Sequence, residues 1–272
     1  MGGFVGRGIM KPFTVHFGTM GSAKTALLLM KNYNYAVDKG KEVLLLKPSL
    51  DNRSKKGFIE SRVGIESKAL EIDKKTNIIE LIESLENKPE FIMVDEIQFF
   101  SSKQIIQLKD LTILDENPIT VDVYGLKNNF KGNLFGEEDG SMATAFSLAT
   151  HLDPVNCLCA CGNDAHNVAR FNPETWEIQK IGEEIKVGGN ESYVSLCYRC
   201  FKEDYIPRST RIALIKDAIS KTINPIKKEE LEKQYSIENE LYLEEEIDYL
   251  RNQIEKNEAK ILELRAKSNN HK

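Results

Sequence analysis

Four short apolar runs punctuate the first half of the chain, and polar, helix-forming stretches separate them. Phe13 to Phe17 is β-rich and ends at Gly18. Val43 to Leu46 is followed by Pro48, Phe91 to Val94 by two carboxylates, and Val121 to Tyr124 by Gly125. Between them, Lys24 to about Asp38 carries apolar residues at helical spacing (Ala26, Leu27, Leu28, Leu29) and stops at Gly40. Further helices are predicted near Ile78–Leu85 and Lys103–Leu111. Apolar strands alternating with helices predict an α/β fold, a parallel sheet with helices on both faces.

The texture changes after about Thr150. Turn signals crowd together at Cys161-Gly162-Asn163-Asp164, Asn172-Pro173-Glu174 and Gly188-Gly189-Asn190, and Trp176-Glu177-Ile178 suggests a hairpin. From about Ser209 the chain is helical and highly charged. Leu243, Ile247, Leu250, Ile254, Ile261 and Leu264 follow 4-3 spacing, with Asn257 filling one position. That is roughly three heptads, enough to predict either a coiled coil or a helix packed on its own body.

Composition narrows the classes. With 272 residues, 41% hydrophobic and 29% charged, the chain suits one or two soluble domains. A net charge of −5 opposes tight binding to nucleic acid. No apolar run reaches the ~18–20 residues that span a bilayer, and no secretory signal is evident, so a cytoplasmic enzyme is expected. The five cysteines fall at 157, 159, 161, 197 and 200. In a reducing compartment such clustering predicts a metal site. Cys197-Tyr198-Arg199-Cys200 is one knuckle, and its partners come from Cys157, Cys159 and Cys161. Four thiolates suit a closed structural Zn²⁺ site.

Gly18-Thr19-Met20-Gly21-Ser22-Ala23-Lys24-Thr25 lies between the first strand and the first helix. Consecutive backbone N–H groups and a helix N-terminus there form an anion cradle. Lys24 would reach the β- and γ-phosphates of ATP, and the Thr25 hydroxyl would ligate Mg²⁺. Ala23 stands where the phosphate-loop motif has glycine, harmless at negative φ and costly at positive φ. Asp95 and Glu96 end an apolar strand, where the ligand crevice of such sheets lies. Asp95 would sit near the Mg²⁺. Glu96, aimed elsewhere by strand alternation, is a candidate base for an attacking hydroxyl.

These residues resemble the type II thymidine kinase family. The matching stretches are Met20 in the loop, Asp95-Glu96-Ile97-Gln98-Phe99-Phe100, Lys47-Pro48 with Asp51-Asn52-Arg53 and Ser61-Arg62-Val63-Gly64, Tyr124 to Phe130 with Phe135-Gly136, and Gly188 to Cys197. They cover roughly residues 12 to 205; the tail is not part of the pattern. The resemblance implies transfer of the γ-phosphate of ATP to the 5′-hydroxyl of thymidine. It implies Glu96 as general base, Lys24 and Arg53 at the transferred phosphate, and Asp51, Asp95 and Gln98 with Gly18–Thr25 at nucleotide and metal. Met20, Phe99, Leu126, Phe130, Phe135 and Tyr193 would form the base pocket, with main-chain groups of Lys186, Val187 and Gly188. It further implies a zinc-held lasso over the base and a homotetramer. The family's C-x-C before glycine selects Cys159 and Cys161 to join Cys197 and Cys200, with Cys157 a possible substitute. The expected organisation is therefore a P-loop domain over 1–150, a zinc-binding lasso over 151–207 and a helical tail over 208–272. Two other readings compete: a kinase of broader deoxynucleoside preference, and a non-catalytic P-loop and zinc assembly protein acting through its tail. Asp95, Glu96, Arg53 and Tyr193 together oppose the second, because a scaffold needs no base.

Overall fold

A computed structural model describes residues 9–51, 55–114, 116–184 and 192–269, with side chains to 264. Two compact units result, Met1–Tyr205 and Ile206–Lys272.

The first unit is built on six parallel strands: β1 (Phe13–Gly18), β2 (Val43–Pro48), β5 (Leu70–Ile72), β6 (Phe91–Val94), β7 (Thr120–Leu126) and β8 (His151–Val155). Their order is β5-β2-β6-β7-β1-β8. The sheet thus continues one strand past residue 150, since β8 pairs with β1 from Thr14↔His151 to Gly18↔Val155. A small hairpin of β3 (Phe58–Glu60) and β4 (Glu66–Lys68) precedes β5.

Alternating residues feed two cores. Phe13, Val15, Ile92, Val94, Val121 and Val123 face one side and are fully buried. There they meet α2 (Ile78–Ser84), α3 (Ser102–Asp110) and α4 (Ser141–Leu148) through residues such as Ile82, Leu108 and Met142. Met93 and Tyr124 face the other side, against Leu28 and Leu29 of α1 (Lys24–Asn32). The predicted first helix is continuous to Asp38, but its last six residues widen into a π-helical turn. Helix α3 starts at a capping box in which Ser101 and Gln104 exchange side-chain and backbone bonds.

Beyond β8 a three-stranded antiparallel sheet forms from β9 (Asn167–Phe171), β10 (Ile178–Gln179) and β11 (Tyr193–Leu196), followed by the one-turn α5 (Tyr198–Lys202). Trp176 stacks on Phe171 at 5.4 Å, the hairpin packing its position suggested.

The second unit is a helical hairpin of α6 (Arg208–Lys221) and α7 (Pro225–Asn269). Arg208 and Arg211 both reach Glu238, at 3.1 and 3.5 Å, and Arg208 also binds Glu245 at 2.6 Å.

Candidate active site

The C-terminal ends of β1, β2 and β6 open into a cleft of about 380 Å³. Met20, Gly21, Ser22, Ala23, Lys24 and Thr25 line it from the loop after β1, Asp95 and Glu96 from the end of β6, and Asp51 and Leu126 from the remaining walls.

The loop is packed tightly underneath. A Cβ on Gly18 would lie 2.4 Å from the Val155 carbonyl oxygen and 2.6 Å from Ser22 Oγ, so only glycine fits. Gly21 takes φ +78°, and Ala23 takes φ +62°. The alanine is therefore held in the left-handed region, at a cost of about 1–2 kcal/mol relative to an ordinary helical φ. Lys24 is buried, and its ammonium donates to the Thr19 carbonyl at 2.6 Å and to Ser22 Oγ at 3.3 Å. Thr19 Oγ1 is buried with no hydrogen-bond partner. An orphaned hydroxyl beside a buried ammonium and a helix N-terminus is a donor set that suits phosphate oxygens.

Thr25 Oγ1 lies 3.1 Å from Asp95 Oδ2 and 3.3 Å from Oδ1. A hydroxyl and a carboxylate converging beside that cradle are hard oxygen donors of the kind that Mg²⁺ takes alongside phosphate.

Glu96 reaches the same cleft by a route other than strand alternation. Strand β6 ends at Val94, and Glu96 adopts φ +53°, ψ +47° as the chain turns into a 3-10 helix over Ile97–Phe99. Left-handed backbone at a non-glycine residue stores strain, and such strain concentrates at working sites. Both carboxylates therefore line one cavity, although they are neighbours in sequence. Gln98 donates its amide N–H to Glu96 Oε2. Room for Gln98 comes from Gly125 on the intervening strand β7, where a Cβ would approach Gln98 Oε1 to 2.6 Å.

The small sheet is tied to the phosphate loop. Ser195 Oγ donates to the Met20 carbonyl at 2.6 Å. Tyr193, two residues earlier on β11, shares that strand face. On the neighbouring strand, the Arg170 guanidinium lies 3.7 Å from the centre of the Phe130 ring and donates to the carbonyls of Ile181 and Glu183. Glu184 accepts from the Gly136 N–H at 2.9 Å and from Asn129 Nδ2 at 3.0 Å. The chain leading toward residue 185 is thus fastened to the loop after β7 by two charged groups.

Cys159, Cys161, Cys197 and Cys200 place their sulfurs within 4.8 Å of one another. A tetrahedron with Zn–S bonds of ~2.3 Å has edges of roughly 3.8 Å, so the four thiols fit that ion. Cys157 stays outside, its thiol turned to the Leu158 carbonyl. A hydrogen bond from Asn163 favours the Cys161 thiolate and pulls its pKa down to about 6. Burial pushes Cys159 and Cys200 up.

The thymidine kinase family model matches residues 12–201. The chain belongs to the thymidine kinase family. A thymidine kinase of Shewanella oneidensis is 36% identical over 190 residues, covering 69% of this chain and 95% of the relative. One from Rhodopirellula baltica is 34% identical over 196 residues, covering 71% and 89%. Among solved structures, the Legionella pneumophila ATPase DotB is similar at 15% identity with a TM-score of 0.31, over 57% of this chain and 44% of that one. Family membership makes the chain an ATP-dependent thymidine kinase, producing thymidine monophosphate.

Against that family map, the cleft collects Met20 to Thr25, Asp51, Asp95, Glu96 and Leu126. Gly18 and Thr19 are not on its lining, and Gln98 stands behind Glu96. Phe99 and Phe135 meet edge to face at 5.5 Å, and Phe130 is buried beneath Arg170. None of these three rings is on the lining of the cleft. Arg53, Lys186, Val187 and Gly188 lie outside the described residues. Two residues received no role from sequence: Arg62, which lines the cleft opposite Gly21, and Ser195. Both belong to the quoted stretches, Ser61–Gly64 and Gly188–Cys197, and that was the available signal.

Proposed function

We propose that thymidine phosphorylation runs in the cleft between the phosphate loop and Glu96, with Glu96 as general base. Its support is a single observation: Lys24, Thr25, Asp95 and Glu96 line one cavity, with the carboxylate of Glu96 oriented by Gln98. The loop amides and Lys24 hold the ATP phosphates. Thr25 and Asp95, with Asp51 nearby, would hold Mg²⁺, which would supply positive charge against that of the phosphates. Glu96 accepts the 5′-hydroxyl proton as that oxygen attacks the γ-phosphorus and the bond to ADP breaks. Arg53 is assigned to charge on the transferred group.

Leu126 and Met20 contribute apolar surface to the base pocket. Tyr193 closes it, and the main chain at Lys186, Val187 and Gly188 binds the polar edge of the pyrimidine. Phe99, Phe130 and Phe135 back this pocket rather than line the phosphate cleft. The Cys159, Cys161, Cys197 and Cys200 set would hold a structural Zn²⁺ that would stabilise the 151–207 lasso; a closed four-thiolate site leaves no position for substrate. Cysteines serving as metal ligands rather than disulfides suit a reducing cytoplasm. No described helix is long and apolar enough to cross a membrane. The 1–150 region carries the phosphate-transfer chemistry, and the 208–272 tail is assigned no part in it. A homotetramer is the assembly that the family resemblance suggests.

The test is direct: purified protein with ATP, Mg²⁺ and a panel of deoxynucleosides, products resolved by chromatography. Thymidine monophosphate should form fastest. Equal rates across the panel would favour the broader kinase, and no product would sink the assignment.

A further inference from the structure

Helix α7 continues well beyond the shorter α6, and the face it shows there does not match the face α6 uses. On the α6 side stand Tyr235, under the Lys216 ammonium at 5.3 Å, and Glu238, buried between Arg208 and Arg211. Ile247 is nine residues from Glu238, a rotation of about 180° at 100° per residue. The 4-3 stripe of Leu243, Ile247, Leu250, Ile254, Ile261 and Leu264 therefore runs along the opposite face. Each of the six is 47–58% exposed. A straight, three-heptad stripe of branched apolar side chains left in water is the signature of a helix face awaiting another helix.

We infer that residues 247–264 of α7 form a self-association seam that pairs antiparallel with the same segment of a second copy of this chain. Charge identifies both the partner and its direction. With Ile247, Ile254 and Ile261 at heptad position a, and Leu243, Leu250, Asn257 and Leu264 at d, the flanking e positions include Glu244, Arg251 and Glu258, and the g positions Glu246, Gln253 and Lys260. An antiparallel pair places e beside e and g beside g. In the register that stacks Ile247 on Leu264 and Leu250 on Ile261, Arg251 meets Glu258 of the second copy, twice by symmetry. Glu244 and Glu246 then lie beside the basic residues that the sequence carries after Leu264, and Gln253 beside Lys260. Sliding by one heptad in one direction sets Arg251 against Arg251; in the other it sets Glu258 against Glu258. A parallel pair would gain Glu246 with Arg251 but bring Lys260 beside the basic end of the partner. Asn257 falls opposite Ile254 in the favoured register. One polar residue in a seam costs stability and helps fix register.

The experiment uses the full chain in analytical ultracentrifugation over a concentration series, comparing wild type with Ile247→Glu/Ile254→Glu. Any assembly made by the rest of the chain is common to both, so the variant should either reach a smaller limiting mass or dissociate at about tenfold higher protein concentration than wild type. Arg251→Glu or Glu258→Arg alone should weaken the tail step about tenfold, and Arg251→Glu/Glu258→Arg should recover it to within about threefold. Arg251 also bridges Asp248 of its own helix at 3.3 Å, which the double variant disturbs equally in both copies. Equal limiting masses together with equal dissociation midpoints for wild type and the double-Glu variant would overturn the seam. Recovery by Arg251→Glu/Glu246→Arg instead would overturn the antiparallel register. Far-ultraviolet ellipticity and thymidine phosphorylation, both expected unchanged, report folding. If the double-Glu variant loses helix content, the exposed Arg251 and Glu258 swaps decide alone.

Discussion

Gln98 grips the carboxylate of Glu96 with the N–H side of its amide and accepts the Leu126 N–H at 3.0 Å with the oxygen side. One side chain thereby orients the proposed base and reports to the wall of the substrate cleft. The bond also leaves no doubt about which way the Gln98 amide faces, since reversing it would set oxygen against oxygen and N–H against N–H.

Glu96→Gln keeps the size of the side chain and removes its basicity. Its kcat should fall by ~10²–10⁴-fold, the usual contribution of a general base. Thymidine affinity, measured by calorimetry, should change by less than about threefold. Equal losses in affinity and rate would make Glu96 a structural residue.

Ala23→Gly removes a Cβ from a backbone held at φ +62°. Relief of that strain, less the extra freedom glycine gives the unfolded chain, should stabilise the protein by about 0.5–1 kcal/mol. Thermal unfolding would show this as a rise of a few degrees, and Ala23→Val should move the midpoint the opposite way.

Ser195→Ala deletes the hydroxyl that holds the Met20 carbonyl. A net hydrogen bond contributes about 0.5–1.5 kcal/mol, so kcat/KM should fall roughly 2- to 10-fold. The effect should appear for both ATP and thymidine in steady-state kinetics, because the bond joins the two sides of the cleft.

Wild type should release about one zinc ion per chain in a colorimetric thiol-release assay, and Cys161→Ser should release little or none. Stability and thymidine KM should suffer more than ATP KM, because the proposed base pocket draws on this module. Cys157→Ser should leave zinc content unchanged, since its thiol stands outside the cluster.

Asp122 is buried in the sheet, 2.7 Å from the Lys31 ammonium and 3.7 Å from His16. Burial works to raise its pKa, but His16 and Lys31 outweigh that and hold it below the ordinary 3.8. A folded value lower than the unfolded one stabilises the protein above the unfolded pKa and loses that contribution as pH falls through the folded value. Asp122→Asn should therefore destabilise the protein most near neutrality. The gap to wild type should shrink below about pH 4 in denaturant titrations.

Much of this was legible in one dimension. Apolar runs marked β1, β2, β6 and β7 because strands buried on both faces have no polar alternation to hide them, and the 4-3 spacing marked α7. The phosphate loop was legible because its chemistry is local, one loop and one helix end. Three things were not. The φ of Ala23 depends on how the loop closes between β1 and α1, which composition does not encode. Alternation misplaced the turn that aims Glu96, since β6 stops two residues earlier. The bond from Ser195 to Met20 joins residues 175 apart in sequence, and no spacing rule reaches that far.

Val155, whose carbonyl oxygen fills the space a side chain at position 18 would need, is also the last residue of β8 before the cysteine-bearing segment. The anchor of the metal module and the bed of the nucleotide are thus one piece of masonry. Enlarging residue 18 would push outward on the stem of that module as well as spoil the cradle above it, so damage begun at the triphosphate end would be felt among the thiols.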